Sequence, residues 1–425
     1  MSAQFDRQLI LWGSEGQLAF ERASIWLFGS DCLACEIAKG LLLTNLSQLT
    51  LIDSACISVQ DLESCFLFDF DSQLEGRDRV SEVAVRLRQF SSGCRIQHYD
   101  KVPTELVERP SLIILANQWE RPRDLPADIL TIEAFAWGFR ALIRTGPVGF
   151  PIWVSSIGNN VAEAANYEFW RNCQFPAFGV LCKEQCAERG EEAPVVFRAF
   201  ALATSGVECN VGKDLEVGKL ARKISSFKSL VPQNVAHALA NAQRAPSGEV
   251  KMLEALNCFV QKHSRIPAIP SLIPDLEMET EDYLKIVHCF QSQFQKDLQE
   301  FPVEGAESWL KKCPFIHLLQ VEEQGSPTGD QLFQATIKFY NLYRKLPGVV
   351  EELRETDEMH LAALVSGEKT GISEWIACGN VQMPCTCTVT GGIVCEQAIK
   401  LTSHAFVPNL QHLLVVDLQE GISVA

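Results

Sequence analysis

Apolar residues along the chain recur in two rhythms. Near the start, Phe5, Leu9 and Trp12 fall at i, i+4 and i+7, the spacing of one helix face. Gly13 predicts a stop. Ser14 and Gln17 form an S-x-x-Q capping box, which predicts a second helix running to Ala23. From Ser24 the period shortens. SIWLFGS (24–30) reads as a buried strand entering a turn, and LTLIDS (49–54) as a second strand ending at Asp53. Between them Cys35, Ala38 and Leu42 keep helical spacing. SLIILAN (111–117) and RALIRT (140–145) predict further strands. Near-continuous apolar strands alternating with helices predict a parallel sheet covered on both faces.

Beyond residue 160 the rhythm is mostly helical. Phe333, Ile337 and Tyr340 share one face, and Pro347-Gly348 predicts the stop. Glu277, Glu279, Glu281 and Asp282 follow a proline-punctuated turn; such a cluster has the chemistry to bind a cation, and a solvated helix N-terminus is the favoured expectation. The last fifty residues return to the first rhythm. TVTGGIVCEQAIKL (388–401) predicts a Gly-Gly turn into a helix, and LLVVDL (413–418) a strand. The expected organisation is a discontinuous α/β domain: residues 1–160, a mainly helical insert over 161–372, and a closing part over 373–425.

Composition narrows the function. The 425 residues carry 37 basic and 53 acidic side chains, a formal charge of −16. That argues against nucleic acid or an anionic membrane as partner and suits a protein with a basic patch. No stretch reaches the roughly 18 apolar residues of a membrane span, and Asp6 and Arg7 interrupt any signal core. The 16 cysteines read as reduced thiols of a cytoplasmic or nuclear protein. Cys32 and Cys35 make one C-x-x-C with no second to complete a zinc site; Cys182/Cys186 and Cys385/Cys387 are spaced differently.

FGSDCLACE (28–36) occupies the place of a nucleotide-binding turn, after a first strand and opening a helix. Such a turn needs three glycines, for the bend, for phosphate approach and for helix–strand packing. The three positions here hold Gly29, Asp31 and Ala34. A carboxylate at Asp31 sits where an anion should bind and repels it. Asp53, at the end of the second strand, has the type and place to bond a ribose.

FDRQLILWGSEGQ, FGSDCLACEIAKGLLL, LTLIDSACISVQDLESCFLF and GRDRVSEVAVRL, closed by TVTGGIVCEQAIKL, together resemble the adenylation domain of ubiquitin-like-activating enzymes. The resemblance implies a Rossmann-like, ThiF/MoeB-type fold. The insert is similar to that of regulatory subunits of the Nedd (Rub)-activating enzyme, with the SUMO enzyme's regulatory subunit as the alternative. Active halves of this family carry G-x-G-x-x-G, D-x-D and N-R-Q stretches that hold ATP and magnesium. Here the second reads Asp53, Ser54, Ala55 and the third Glu63, Ser64, Cys65. The resemblance therefore implies a half that binds no cofactor, with ATP and magnesium on a catalytic partner subunit that activates a Nedd-type modifier. Cys209, in GVECN, is the insert's best-placed thiol for a thioester, and is expected to be inert. In the family the D-R-Q arginine reaches across to the partner's ATP. The matching residues are Asp6, Arg7 and Gln8, so Arg7 is expected to act in trans, with Phe5, Leu9 and Trp12 facing the partner. Two readings of other classes stand beside this one: a nucleotide-dependent oxidoreductase, which Asp31 and Ala34 oppose, and a scaffold without any role in activation.

Overall fold

The structure, a computed structural model, describes residues 6–68, 72–91, 93–103, 109–122, 125–126, 129–146, 151–153, 168–205, 215–245, 247–303, 305–318, 328–365, 371–378, 381–403, 413–417 and 421–424. The chain divides into two compact units, one of residues 1–150 with 319–425 and one of residues 151–318.

The first unit is built on an eight-stranded sheet. Its chain-ordered strands are β1 (Ser24–Phe28), β2 (Gln48–Ile52), β3 (Arg95–Tyr99), β4 (Leu112–Ala116), β5 (Thr131–Trp137), β6 (Arg140–Gly146), β9 (Leu413–Asp417) and β10 (Gly421–Val424); β7 and β8 belong to the second unit. The spatial order is β10-β9-β6-β5-β4-β1-β2-β3. From β3 to β5 all pairs are parallel; β6, β9 and β10 join antiparallel. Ile25, Leu27, Leu49, Leu51 and all of Leu112–Ala116 are buried, which is why these strands read as unbroken apolar runs. The chain leaves β1 toward β2 on one side, while β4 lies on the other. That reversal opens a crevice at the carboxyl end of β1.

Helix α1 (Asp6–Glu21) is continuous through Gly13, so the expected break at Gly13 and restart at Ser14 do not occur. A helical glycine costs only about 1 kcal/mol. Burial of Phe20 and Gln17, with Gln17 Nε2 donating to the Thr44 carbonyl, offsets that cost. Helix α2 (Cys32–Leu43) is buried along most of its length. The last helix spans Pro384–Ser403 without interruption. The Gly-Gly pair is thus mid-helix rather than a turn: a Cβ on Gly391 would lie 3.0 Å from Cβ of Glu36, so glycine there serves close approach to α2.

Three more helices, Thr328–Tyr343, Arg354–Leu364 and Ile372–Cys378, pack on the same sheet. Phe333, Phe339 and Trp375 share a core with Trp119, Phe135 and Trp137. Trp375 and Trp137 stack at 5.4 Å, and the indole of Trp137 donates to the Trp375 carbonyl. Residues 328–372 fall within the insert expected over 161–372, yet they pack with the first unit; helical period alone does not say which core a helix joins.

The second unit is mainly helical, with one small antiparallel pair, β7 (Pro151–Trp153) and β8 (Ile316–Leu318). It has an aromatic core around Phe169, Phe178, Phe200 and Phe290. The expected helix start near Glu279 is found at Thr280, and the helix runs to Leu298. Asp282 is buried, however, and pairs with Arg189 at 2.7 Å, so it is not part of a solvated face.

Candidate functional site: a nucleotide crevice filled by its own side chains

The carboxyl ends of β1, β2 and β4 converge at the crevice. Gly29 leaves β1 with φ +104°, and a Cβ there would sit 2.8 Å from the Ala116 carbonyl oxygen. The first glycine of the turn is therefore required by the bend itself. Asp31 follows as the N-cap of α2. Its Oδ1 accepts from the Ala34 backbone N–H at 3.0 Å, and its Oδ2 accepts from Asn117 Nδ2 at 2.8 Å and Gln382 Nε2 at 2.7 Å. Burial pushes the Asp31 carboxyl above its ordinary range, against the pull of Arg79 and these three donors. The protein's own carboxylate thus occupies the helix end that would otherwise receive a phosphate.

Beside it lies a buried ion cluster. Arg79, the first residue of the helix Arg79–Leu87, donates from Nη2 and Nε to Asp53 Oδ2 at 2.8 and 3.1 Å. Its Nη1 donates to Asp61 Oδ1 at 2.8 Å, and Nε also reaches Ser30 Oγ at 3.2 Å. Ser30 Oγ donates to Asp53 Oδ2 at 2.5 Å, and the Ala55 N–H donates to Asp53 Oδ1. Asp61 is fixed in turn by a capping box with Ser58. Burial works against the Arg79 charge, but Asp53, Asp31 and Asp61 outweigh it and hold the guanidinium firmly protonated.

This arrangement does not fit a nucleoside triphosphate. Phosphates would have to expel the Asp31 carboxylate from the Ala34 N–H and then face Asp53 and Asp61, two carboxylates whose charge the single Arg79 guanidinium only half offsets. Asp53, considered for a ribose contact, is committed to Arg79 and Ser30. Ala55 offers no carboxylate beside it, and Ser64 turns its hydroxyl to the Gln60 carbonyl. The cluster is a structural tie between the ends of β1 and β2 and two helices.

The sequence reading gave Arg79 and Asp61 no role. The only signal was the charge content of GRDR and VQDLES, since the partners stand 26 and 18 residues from Arg79. Among the described residues no group of three or more His, Cys, Asp or Glu side chains could hold a metal. Cys209 and Phe5 lie outside the described residues, as do the side chains of Arg7 and Trp12, although Arg7 and Trp12 fall within α1. Leu9 is half-buried; among the residues of α1 whose side chains are described, the exposed apolar ones are Ile10 (83%), Leu11 (61%) and Leu18 (40%).

Residues 5–117 match the ThiF family. The chain is 29% identical to the NEDD8-activating enzyme E1 regulatory subunit AXR1 of Arabidopsis thaliana, over 96% of this chain and 93% of that protein. It is 32% identical to the NEDD8-activating enzyme E1 regulatory subunit of Caenorhabditis elegans, over 70% of this chain and 64% of the other. The likeness to SUMO-activating enzyme subunit 1 of Bos taurus, 33% identical, spans 25% of this chain and 30% of that one. A ThiF match over residues 5–117, a sheet completed from the far end of the sequence, and likeness along nearly the whole length make the chain similar to NEDD8-activating enzyme E1 regulatory subunits.

Proposed function

We propose that this chain is the non-catalytic half of a heterodimeric enzyme that activates a Nedd-type ubiquitin-like modifier, working in the cytoplasm or nucleus. The observation that carries the reading is Asp31 seated on the N-terminus of α2, with Arg79 satisfying Asp53 and Asp61. A half so built keeps the adenylation fold but leaves ATP and magnesium to its partner. The exposed Ile10 and Leu11 on α1 support a protein neighbour at that surface. The SUMO pathway is the weaker assignment, because the relatives on that side match only a quarter of the chain.

Titrating the isolated chain with Mg-ATP in a calorimeter is expected to give no binding heat in the micromolar range. Saturable binding there would overturn the reading. In the same proposal Arg7 meets the phosphates of ATP held by the catalytic subunit. A contact to charge developing in the transition state is worth about 2–4 kcal/mol, or roughly 30- to 1,000-fold in rate. Arg7→Ala should slow pyrophosphate exchange by the reconstituted heterodimer by that factor, while dimer content on size exclusion stays unchanged. Arg7→Lys should recover part of the loss, since an ammonium lacks the planar fork. Unchanged exchange in Arg7→Ala would leave Arg7 an ordinary surface charge.

A further inference from the structure

A second exposed surface lies where the helices Thr328–Tyr343 and Arg354–Leu364 meet. Leu342, Val349, Val350, Leu353, Met359 and Tyr343 are all exposed there, Leu342 and Met359 by 64 and 66%. The Tyr343 ring stacks on His360 at 4.8 Å and 11°, which joins the end of the first helix to the second. Six large exposed apolar side chains fall within 18 residues of sequence.

The connecting turn is rigid. Gly348 has φ +79°, and a Cβ there would meet the Ile376 carbonyl oxygen at 2.3 Å, so the backbone lies flat on the helix Ile372–Cys378. Its N–H donates to Asp357 Oδ2 at 3.1 Å, and Lys345 Nζ donates to Asp357 Oδ1 at 2.7 Å. Pro347 and Gly348 are buried while the next two residues, Val349 and Val350, are exposed. Anchoring the turn holds the valines outward, and a surface fixed before its partner arrives loses little entropy on binding.

Charge around the patch is mixed with a negative surplus, Lys338 lying exposed one turn before Leu342. Arg344 is paired with Glu120 at 2.7 Å, Lys345 with Asp357, and Arg354 lies 3.9 Å from Glu351. Glu352 and Glu355 are exposed and make no ion pair among the described residues. On a chain of net charge −16, an apolar cluster with unpaired carboxylates at its rim selects against acidic proteins and for basic ones.

We propose that this surface is a docking site for a protein partner that presents a small aliphatic cluster ringed by lysine and arginine. Six side chains fall short of a standard interface, so the partner is one that binds and leaves. The site is independent of the filled nucleotide crevice and of α1.

The test uses the full-length chain and a fluorescent 14-residue helical peptide of leucine and lysine with one apolar stripe. Controls are the same stripe with glutamate for lysine and a scrambled leucine–lysine peptide. Anisotropy should report saturable 1:1 binding of the striped basic peptide, at least about tenfold tighter than either control. Val349→Ser with Met359→Ser should weaken it about tenfold, as should Glu352→Lys with Glu355→Lys. Glu191→Lys with Glu277→Lys makes the same change in net charge on exposed residues of the other unit and should leave binding within about twofold. Equal binding of the acidic peptide, no binding of the basic one, or equal losses from the near and remote charge reversals would each overturn the proposal.

Discussion

Asp297→Ala is expected to destabilise the second unit by about 3–5 kcal/mol. Asp297 is the centre of a buried ion pair: Arg265 Nη1 and Nη2 donate to its two carboxylate oxygens, both at 2.8 Å. The Ala268 backbone N–H and Gln293 Nε2 complete its shell at 2.8 Å each. Arg265 lies between aromatic faces, 5.1 Å from the Phe259 ring centre and 5.8 Å from that of Phe175. Removing the carboxylate strands a guanidinium in that setting and leaves two further donors unsatisfied. Because the chain has two units, the loss is best read by hydrogen exchange over residues 168–318 rather than from one melting curve. Replacing both partners, Asp297→Leu with Arg265→Met, should restore most of it, because no charge is then left unpaired. A loss below about 1 kcal/mol in the single variant would mean that the pair contributes nothing net.

Arg79→Ala is expected to cost about 3 kcal/mol in the first unit. Its guanidinium is the cation bonded to both Asp53 and Asp61, whose side chains are only 10 and 8% exposed. Without it two carboxylates face each other near a third, Asp31. Arg79→Lys should lose less, since it keeps the charge, yet an ammonium cannot span Asp53, Asp61 and Ser30 together. Adding Asp53→Asn and Asp61→Asn to Arg79→Met should recover most of the stability. The Arg79→Ala protein should gain no affinity for Mg-ATP, since Asp31 still caps α2; a gain would mean that Arg79 alone kept the nucleotide out. Stability is checked by exchange protection of the β1 and β2 amides.

Much of the first unit was legible because buried parallel strands have no polar face to show: the apolar runs at Ser24–Phe28 and Leu112–Ala116 coincide with β1 and β4. Glycine was misread in both helices that contain it at a marked position. Gly13 and Gly391 punctuate nothing, because a modest propensity cost is outweighed by docking against neighbouring helices. At the crevice, Gly29, Asp31 and Ala34 were readable from spacing alone, since a phosphate turn is local in sequence. The Arg79 cluster was not, because it is assembled from side chains on separate elements, and a lone arginine in a charged stretch carries no mark of its partners.

The order of the sheet also sets a schedule for biosynthesis. β6 pairs with β9, Arg140–Arg144 against Leu413–Asp417, so its outer edge has no partner strand until residues 413–417 leave the ribosome. At 5–20 residues per second that interval is on the order of 13–50 s, during which the whole second unit has emerged. An open edge carrying Leu142, Ile143 and Arg144 is a template for pairing with another nascent chain. A chain terminated early, just before β9, would carry that edge permanently, and quality control should recognise it as unfinished even though every residue of the filled crevice is present.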